Sequence, residues 1–150
     1  MVWGAFTGFY KSPLVLMPEG ERTSNDFIRN VYDVTLSAFY FLHDHPHYLT
    51  LIEDGAPVHR SKLAQQWRIA YGIQKLDWPP NSPDLNPIEN LWKLVKDLLR
   101  HHNRPRNKQE MMQTIEAAWN EVSMEQLQNL IASMPRRIEA IISAKGGSTK

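Results

Sequence analysis

Cysteine is absent from this chain of 150 residues, which excludes disulfides, thiolate metal sites and cysteine nucleophiles. Long apolar runs are absent too, since no stretch approaches the roughly 20 residues that a membrane span needs. The N-terminus also lacks the basic segment and apolar stretch of a secretory signal. With 42% hydrophobic residues, enough for one core, the sequence predicts a soluble intracellular domain without a membrane partner.

The small net charge of +1 hides an uneven distribution. Residues 1–54 carry three basic residues against seven acidic ones, and the rest of the chain carries fourteen against nine. Such a basic excess favours binding to a polyanion such as DNA. A solvated helix end followed by a loop explains the same excess equally well. The excess is greatest in a segment that contains one acid, Asp97, and the cations Lys93, Lys96, Arg100, Arg104, Arg106 and Lys108.

The first half of the chain predicts strands that alternate with helices. One helix runs from Thr23, where Thr23 or Ser24 can cap it, to Leu42. The run "YLTLIED" predicts a strand buried on both faces, and this order of elements favours an α/β layer structure with parallel strands. The predicted strands are 2–7, 13–17, 48–54 and 72–76, with a second helix at 61–71. The apolar face of the first helix is predicted to contain Phe27, Ile28, Val31, Val34, Ala38, Phe39 and Leu42.

The second half predicts helices. One follows Asn86, a second spans 108–121, and a third begins at Ser123, which can form a capping box with Gln126. Pro135 should kink or split this last helix. Gly146-Gly147 ends the predicted structure.

The stretch "WPPNSPDLNPIENLW" places Glu89 at the third position of a predicted helix. A structural interpretation is sufficient locally, because Glu89 could bond the Asn86 backbone N–H or pair with Lys93. A functional interpretation is also open. Glu89, Lys93, Lys96 and Arg100 share one stripe of the helix, as a metal-binding carboxylate beside phosphate-binding cations would.

Asp54 lies where a predicted parallel strand ends and a glycine turn begins. Ligands of open α/β sheets bind at the carboxyl ends of strands, although a single acid there is often a turn or cap residue. The adjacent Glu53 should point to the opposite face. The pair of interest is therefore Asp54 and Glu89, with 34 residues between them.

"EDGAPVH", the proline-rich stretch at this distance and the closing "MPRRIEAIISAKGGSTK" resemble the catalytic domain of mariner-superfamily DDE transposases, and "VWGAF" and "PLVLMPEG" resemble its second and third strands. The resemblance implies a ribonuclease-H-like fold, with a core at 1–102 and C-terminal helices at 103–150. It also implies DNA strand cleavage and transfer at transposon ends by two Mg²⁺ (or Mn²⁺) ions, a nuclear location and a possible homodimer. Asp54 would be the second metal-binding carboxylate and Glu89 the third.

The chain departs from the family pattern at its start, because Met1 directly precedes the "VWGAF" strand. The family's first strand with its catalytic aspartate, and its helix-turn-helix region, would lie upstream. We therefore expect a truncated, impaired derivative with weakened metal binding and unpaired strand edges. The remaining aspartates are poor substitutes that we expect to be solvated or to shape a loop: Asp26, Asp33, Asp44, Asp77 and Asp84.

Histidines add weaker candidates. His59 could contact DNA or water near the metals, although a histidine that faces solvent at a helix start is the more ordinary expectation. The tract His43, His45 and His47 resembles a metal site only weakly. Three alternatives stay open: a non-catalytic DNA- or protein-binding module, a misassigned start of a longer active protein, and a nuclease of the same fold that acts on RNA.

Overall fold

A computed structural model describes residues 1–42, 49–77 and 85–144 of the chain. The chain divides into two compact units, Met1–Ala5 with Lys11–Ser82 and Phe6–Tyr10 with Pro83–Lys150. The predicted division at residue 102 stays a prediction. The histidine tract, residues 78–84 of the proline-rich stretch (among them Asp84), the closing glycine pair and Asp44 lie outside the described residues.

Helices form most of the described chain, and its regular strands are short. In the first unit they are β1 (Val2–Trp3), β2 (Val15–Leu16), α1 (Ser24–Phe27), a π-helical segment (Ile28–Leu36), α2 (Ser37–Phe41), α3 (Pro57–Arg60) and α4 (Lys62–Ala70). In the second unit they are α5 (Pro87–Leu99), α6 (Lys108–Glu121), α7 (Met124–Ala132) and α8 (Met134–Ser143). Within the described residues, none of these helices is long and apolar enough to cross a membrane.

The two strands form a small antiparallel sheet in which Val2 lies opposite Leu16 and Trp3 opposite Val15. Both strands are shorter than the predicted ranges of 2–7 and 13–17. The backbone N–H of Met17 also donates to the carbonyl of Met1 at 3.0 Å, which extends the pairing by one bond.

The predicted strands at 48–54 and 72–76 meet in one parallel bridge, between Leu51 and Lys75. The N–H of Leu51 donates to the Gln74 carbonyl at 2.8 Å, and the N–H of Leu76 donates to the Leu51 carbonyl at 2.9 Å. The parallel direction is therefore confirmed. The prediction of burial on both faces is wrong, because Thr50 is exposed and Leu51 is half-buried.

The first long helix begins as predicted and then widens. Thr23 caps it through a capping box with Asp26. The residues after α1 then form i to i+5 hydrogen bonds, as the bond from the Ser37 N–H to the Tyr32 carbonyl illustrates. This wider turn shifts the buried face away from that of an α-helix. Val34 and Leu42, predicted to be buried, are 64% and 81% exposed, and the buried residues are Phe27, Val31, Tyr32, Leu36 and Tyr40.

The core of the first unit collects around this helix. Ser61 caps α4 by accepting from the Ala64 N–H, which agrees with the helix predicted at 61–71. The indole N–H of Trp67 donates to Asp33 at 2.6 Å, so this aspartate, although exposed, has a defined structural partner. Tyr40 donates to the Leu49 carbonyl at 2.8 Å and so ties α2 to the segment that leads to Asp54.

The second unit is a group of helices whose boundaries the sequence predicts well. The α6 bounds coincide with the predicted 108–121. The capping box of Ser123 and Gln126 is confirmed, and the chain does divide at Pro135, since α7 ends at Ala132 and α8 begins at Met134. Both α6 and α7 pack on α5. Their buried apolar residues are Leu91, Val95, Ala118, Trp119, Val122 and Leu127.

Candidate functional site

The two adjacent acids at the end of the 49–54 segment lie in opposite environments. Glu53 is 7% exposed, whereas the side chain of Asp54 is 54% exposed. Successive side chains of an extended segment point to opposite faces, as predicted for this pair. Asp54 is therefore the acid that a ligand can approach, and Glu53 is part of the interior.

Glu53 belongs to a buried polar network with Arg68 and Tyr32. Arg68 donates to Glu53 Oε2 at 3.1 Å and to the Tyr32 hydroxyl oxygen at 3.0 Å, and the Tyr32 hydroxyl donates in a short hydrogen bond to Glu53 Oε1. Burial, and then the neighbouring Glu53 carboxylate, raise the pKa of Tyr32 well above its ordinary value. No sequence pattern singles out Arg68 or Tyr32, because a charge in an amphipathic helix is ordinarily solvated.

Asp54 itself makes two contacts through one oxygen. Its Oδ1 accepts from the Ala56 N–H at 3.0 Å and lies 2.7 Å from Nδ1 of His59. Oδ2 has no hydrogen bond to a described residue. His59 is 9% exposed, so the expectation that it faces solvent is wrong. The reason is local, because α3 turns the ring back onto Asp54 and against Phe27.

Glu89 is an exposed carboxylate in the first turn of α5. Asn86 caps this helix by accepting from the Ile88 N–H at 3.3 Å, as its sequence predicts. Neither structural role considered for the Glu89 side chain is present. It makes no reciprocal hydrogen bond to Asn86, and it forms no ion pair with Lys93 among the described residues. Its carboxylate has no hydrogen-bond partner among those residues.

The predicted basic segment is exposed along its length, at Lys93, Lys96, Arg100, Arg104, Arg106 and Lys108. Arg100 pairs with Asp97 at 2.9 Å and Arg106 pairs with Glu110 at 3.5 Å. Lys93, Lys96 and Arg104 form no ion pair with a described residue. The stripe of Glu89, Lys93, Lys96 and Arg100 is exposed at every position, as the helical spacing predicts.

Mg²⁺ and Mn²⁺ prefer oxygen ligands such as carboxylates. The side chains of Asp54 and Glu89 are therefore each chemically suited to bind such a cation. The part of the chain that the structure describes contains no group of three histidine, aspartate or glutamate side chains able to hold a metal together. The Asp26 carboxylate accepts from the backbone N–H and the hydroxyl of Thr23 in a helix cap, and Asp33 accepts from Trp67, so each carboxylate has a structural partner.

Comparison with known proteins identifies the family of the chain. The sequence pattern of the family described as DDE superfamily endonuclease matches residues 14–112, which is more than half of the chain. The chain belongs to this family. The resemblance to mariner-superfamily DDE transposases is confirmed by this match together with the transposase relatives and the solved domain that follow.

Related transposases of this DDE family match the chain over its whole length. The Tc1 transposase of Caenorhabditis elegans is 34% identical over 151 residues, and the Tcb2 transposase of Caenorhabditis briggsae is 32% identical over 163 residues. Each alignment covers 100% of this chain and 54% of the relative. The chain therefore spans about half the length of these curated relatives.

The fold of this DDE family member is that of a solved transposase domain. The catalytic domain of Mos1 transposase, in a structure with Raltegravir and Mg, matches with a TM-score of 0.77 at 14% identity and covers 100% of this chain and 83% of the other. A second structure of that domain, with Mn, gives a TM-score of 0.75. The predicted ribonuclease-H-like fold class is confirmed, with a helical majority and a small sheet in the described residues.

Proposed function

We propose that this chain supplies the second and third metal-binding carboxylates, Asp54 and Glu89, of a DDE transposase that cleaves and transfers DNA strands at transposon ends in the nucleus. One observation carries the proposal: the carboxylate of Glu89 is exposed and has neither of the structural partners that its position offers. The family membership gives this exposed acid a chemical purpose. Mg²⁺ or Mn²⁺ held there would activate an oxygen nucleophile for in-line attack on a phosphodiester.

The metal part of the proposal is tested with the purified chain and Mn²⁺. Binding is measured by electron paramagnetic resonance of free Mn²⁺ for the unmodified chain, Asp54→Asn and Glu89→Gln. We expect each substitution to weaken binding at least tenfold, because a neutral amide is a poorer ligand for a hard cation. Glu125→Gln is a matched control, since Glu125 is an exposed acid in the first turn of α7. Equal affinities for all four chains would contradict the proposed ligands.

Strand cleavage is tested separately, with a labelled DNA duplex that carries transposon ends and with Mg²⁺ or Mn²⁺. We expect Glu89→Gln to abolish any metal-dependent cleavage that the unmodified chain shows, because a neutral amide is a poorer ligand for a hard cation. Metal-dependent cleavage that survives in Glu89→Gln would contradict the assignment of Glu89 as a ligand.

We also propose that the exposed cations of α5 and the following loop bind the DNA backbone. Lys93, Lys96 and Arg104 are the strongest candidates, because they are exposed and form no ion pair with a described residue. A cation that is not already paired with a carboxylate attracts a phosphate more strongly. His59 is a poorer candidate for this role than the sequence suggested, because its ring is buried against Phe27 and Asp54.

The DNA part is tested by fluorescence anisotropy at several salt concentrations. Removing two phosphate contacts with Lys93→Ala and Lys96→Ala should reduce the slope of log K against log salt by about 2. Arg22→Ala with Arg29→Ala removes the same charge from the other unit and is the control. If the two double variants lose affinity equally, net charge and not the α5 stripe determines binding. Substituting RNA for DNA in the same assay tests the RNA alternative.

A further inference from the structure

His59 is held rigidly beside Asp54. Its ring packs edge-on against Phe27, with the ring centroids 5.0 Å apart and the planes at 61°. Its backbone carbonyl accepts a hydrogen bond from Nη2 of Arg68 at 3.2 Å. Arg68 is in turn fixed by Glu53 and Tyr32 in the buried network. Both the ring and the backbone of His59 are therefore tied to the interior, whereas Asp54 is open to solvent.

The surroundings of His59 determine which ring nitrogen carries the proton. Nδ1 lies 2.7 Å from Asp54 Oδ1, so it must be the donor, because two bare lone pairs at that distance would repel. Nε2 is buried and has no hydrogen-bond partner among the described residues. A proton on Nε2 would be a buried donor without an acceptor, which costs about 1–3 kcal/mol. The neutral ring with Nδ1–H satisfies both constraints.

The two oxygens of Asp54 consequently differ. Oδ1 accepts from the Ala56 N–H and from His59, and Oδ2 has no bond to a described residue. We infer that His59 is a positioning residue, which holds Oδ1 through Nδ1–H so that Oδ2 is the oxygen presented to a divalent cation. This inference rests on the proposed function, since it assumes that Asp54 is a metal ligand. Carboxylate ligands in metal sites are themselves hydrogen-bonded, and loss of such a partner typically weakens metal binding about 10–100-fold.

A pair of substitutions separates the hydrogen bond from the packing of the ring. His59→Asn keeps an N–H donor close to the position of Nδ1, whereas His59→Leu keeps an apolar side chain against Phe27 without a donor. We expect Mn²⁺ affinity to fall about 10–100-fold in His59→Leu and to stay within about threefold of the unmodified chain in His59→Asn. His101→Leu is the control, because His101 is exposed.

A measurement without metal tests the same inference. The ¹⁵N chemical shifts of the imidazole report which ring nitrogen is protonated. In the unmodified chain, at a pH where the ring is neutral, His59 should show the Nδ1–H tautomer. Protonation at Nε2 instead would overturn the inference by itself, whether or not His59→Leu folds.

The outcomes distinguish this inference from the proposed function beneath it. If Asp54→Asn weakens Mn²⁺ binding and His59→Leu does not, the metal site stands and the positioning role of His59 is wrong. Equal losses in His59→Leu and His59→Asn assign the effect to ring packing and also overturn that role. If the unmodified chain binds no Mn²⁺, or Asp54→Asn binds as well as it does, the proposed metal site fails and this inference fails with it.

Discussion

The two compact units differ in what they bury. The first buries an ion pair, Glu53 with Arg68, whose side chains are 5% and 7% exposed. Among the described residues of the second, the buried polar side chain is Asn86, a helix cap, and the charges lie at the surface. A buried ion pair is weak evidence for stability, because desolvation offsets much of the attraction. The first unit therefore orients particular groups beside Asp54, whereas the second presents a helix surface.

The largest expected effect is from removing one member of the buried pair. Arg68→Met leaves the Glu53 charge buried without its partner, so the free energy of unfolding should fall by about 3–5 kcal/mol. The measurement is urea denaturation followed by circular dichroism. The matched control in the other unit is Arg100→Met, which breaks an exposed pair and should cost less than about 1 kcal/mol.

A double variant tests whether the stability lost in Arg68→Met is caused by the unpaired buried charge. Glu53→Leu with Arg68→Met leaves no buried charge, and should recover most of the stability lost in Arg68→Met alone. If the double variant is instead less stable than Arg68→Met, the network contributes net stability, and the contrast between the units is smaller than stated.

In the second unit, apolar packing should dominate. Leu127 is fully buried, so Leu127→Ala should reduce the free energy of unfolding by about 2–5 kcal/mol through lost contacts and the cavity left behind. Ile142 is 70% exposed, and Ile142→Ala should stay within about 0.5 kcal/mol of the unmodified chain. Chemical denaturation measures both. Similar losses at the two positions would mean that the described burial does not determine stability there.

Tyr32→Phe removes one hydroxyl from the buried network and should also change how the stability of the chain depends on pH. Loss of the hydroxyl should cost about 1–3 kcal/mol near neutral pH, because Glu53 and Arg68 lose a buried partner. Burial raises the pKa of Tyr32, so its unfolded form ionises first, above about pH 10. The contribution of Tyr32 is therefore complete below that pH and declines as the pH rises further. Thermal melts between pH 7 and 11 should show a steeper alkaline loss for the unmodified chain than for Tyr32→Phe.

The smallest effect is expected at a helix cap of the second unit. Ser123 accepts from the Gln126 N–H at 3.2 Å, and Ser123→Ala should cost about 1 kcal/mol. Ser143→Ala, an exposed change at the end of α8, is the control and should be nearly neutral. Thermal denaturation resolves the difference. A loss as large as that of Leu127→Ala would mean that capping, and not apolar packing, stabilises this unit.

Local signals predicted the second unit more accurately than the first. The caps at Asn86 and Ser123 and the break at Pro135 depend on residues next to each other in sequence, so they could be read directly. The buried face of the first helix could not, because the α-helical spacing that placed Val34 inside does not hold in a π-helical segment.

The candidate site also contains some features that local sequence signals predict and others that they do not. A motif and its spacing predict Asp54 and Glu89 as ligands, and that role stays a prediction. His59 and Asp54 are five residues apart in sequence, but their contact depends on how α3 turns after Gly55. No periodic pattern predicts that turn. The network of Tyr32, Glu53 and Arg68 joins three distant segments, and a single sequence gives no pairing between them.

The π-helical segment has a consequence for how this region can vary. A π turn holds one residue more than an α-helical turn, so removing one residue from Ile28–Leu36 would restore α-helical turns while the later side chains keep nearly the same faces. Tyr40 would then still face the Leu49 carbonyl that it now reaches at 2.8 Å. A single-residue deletion should therefore be tolerated better here than in a regular helix such as α5, where every later side chain would rotate by about 100°.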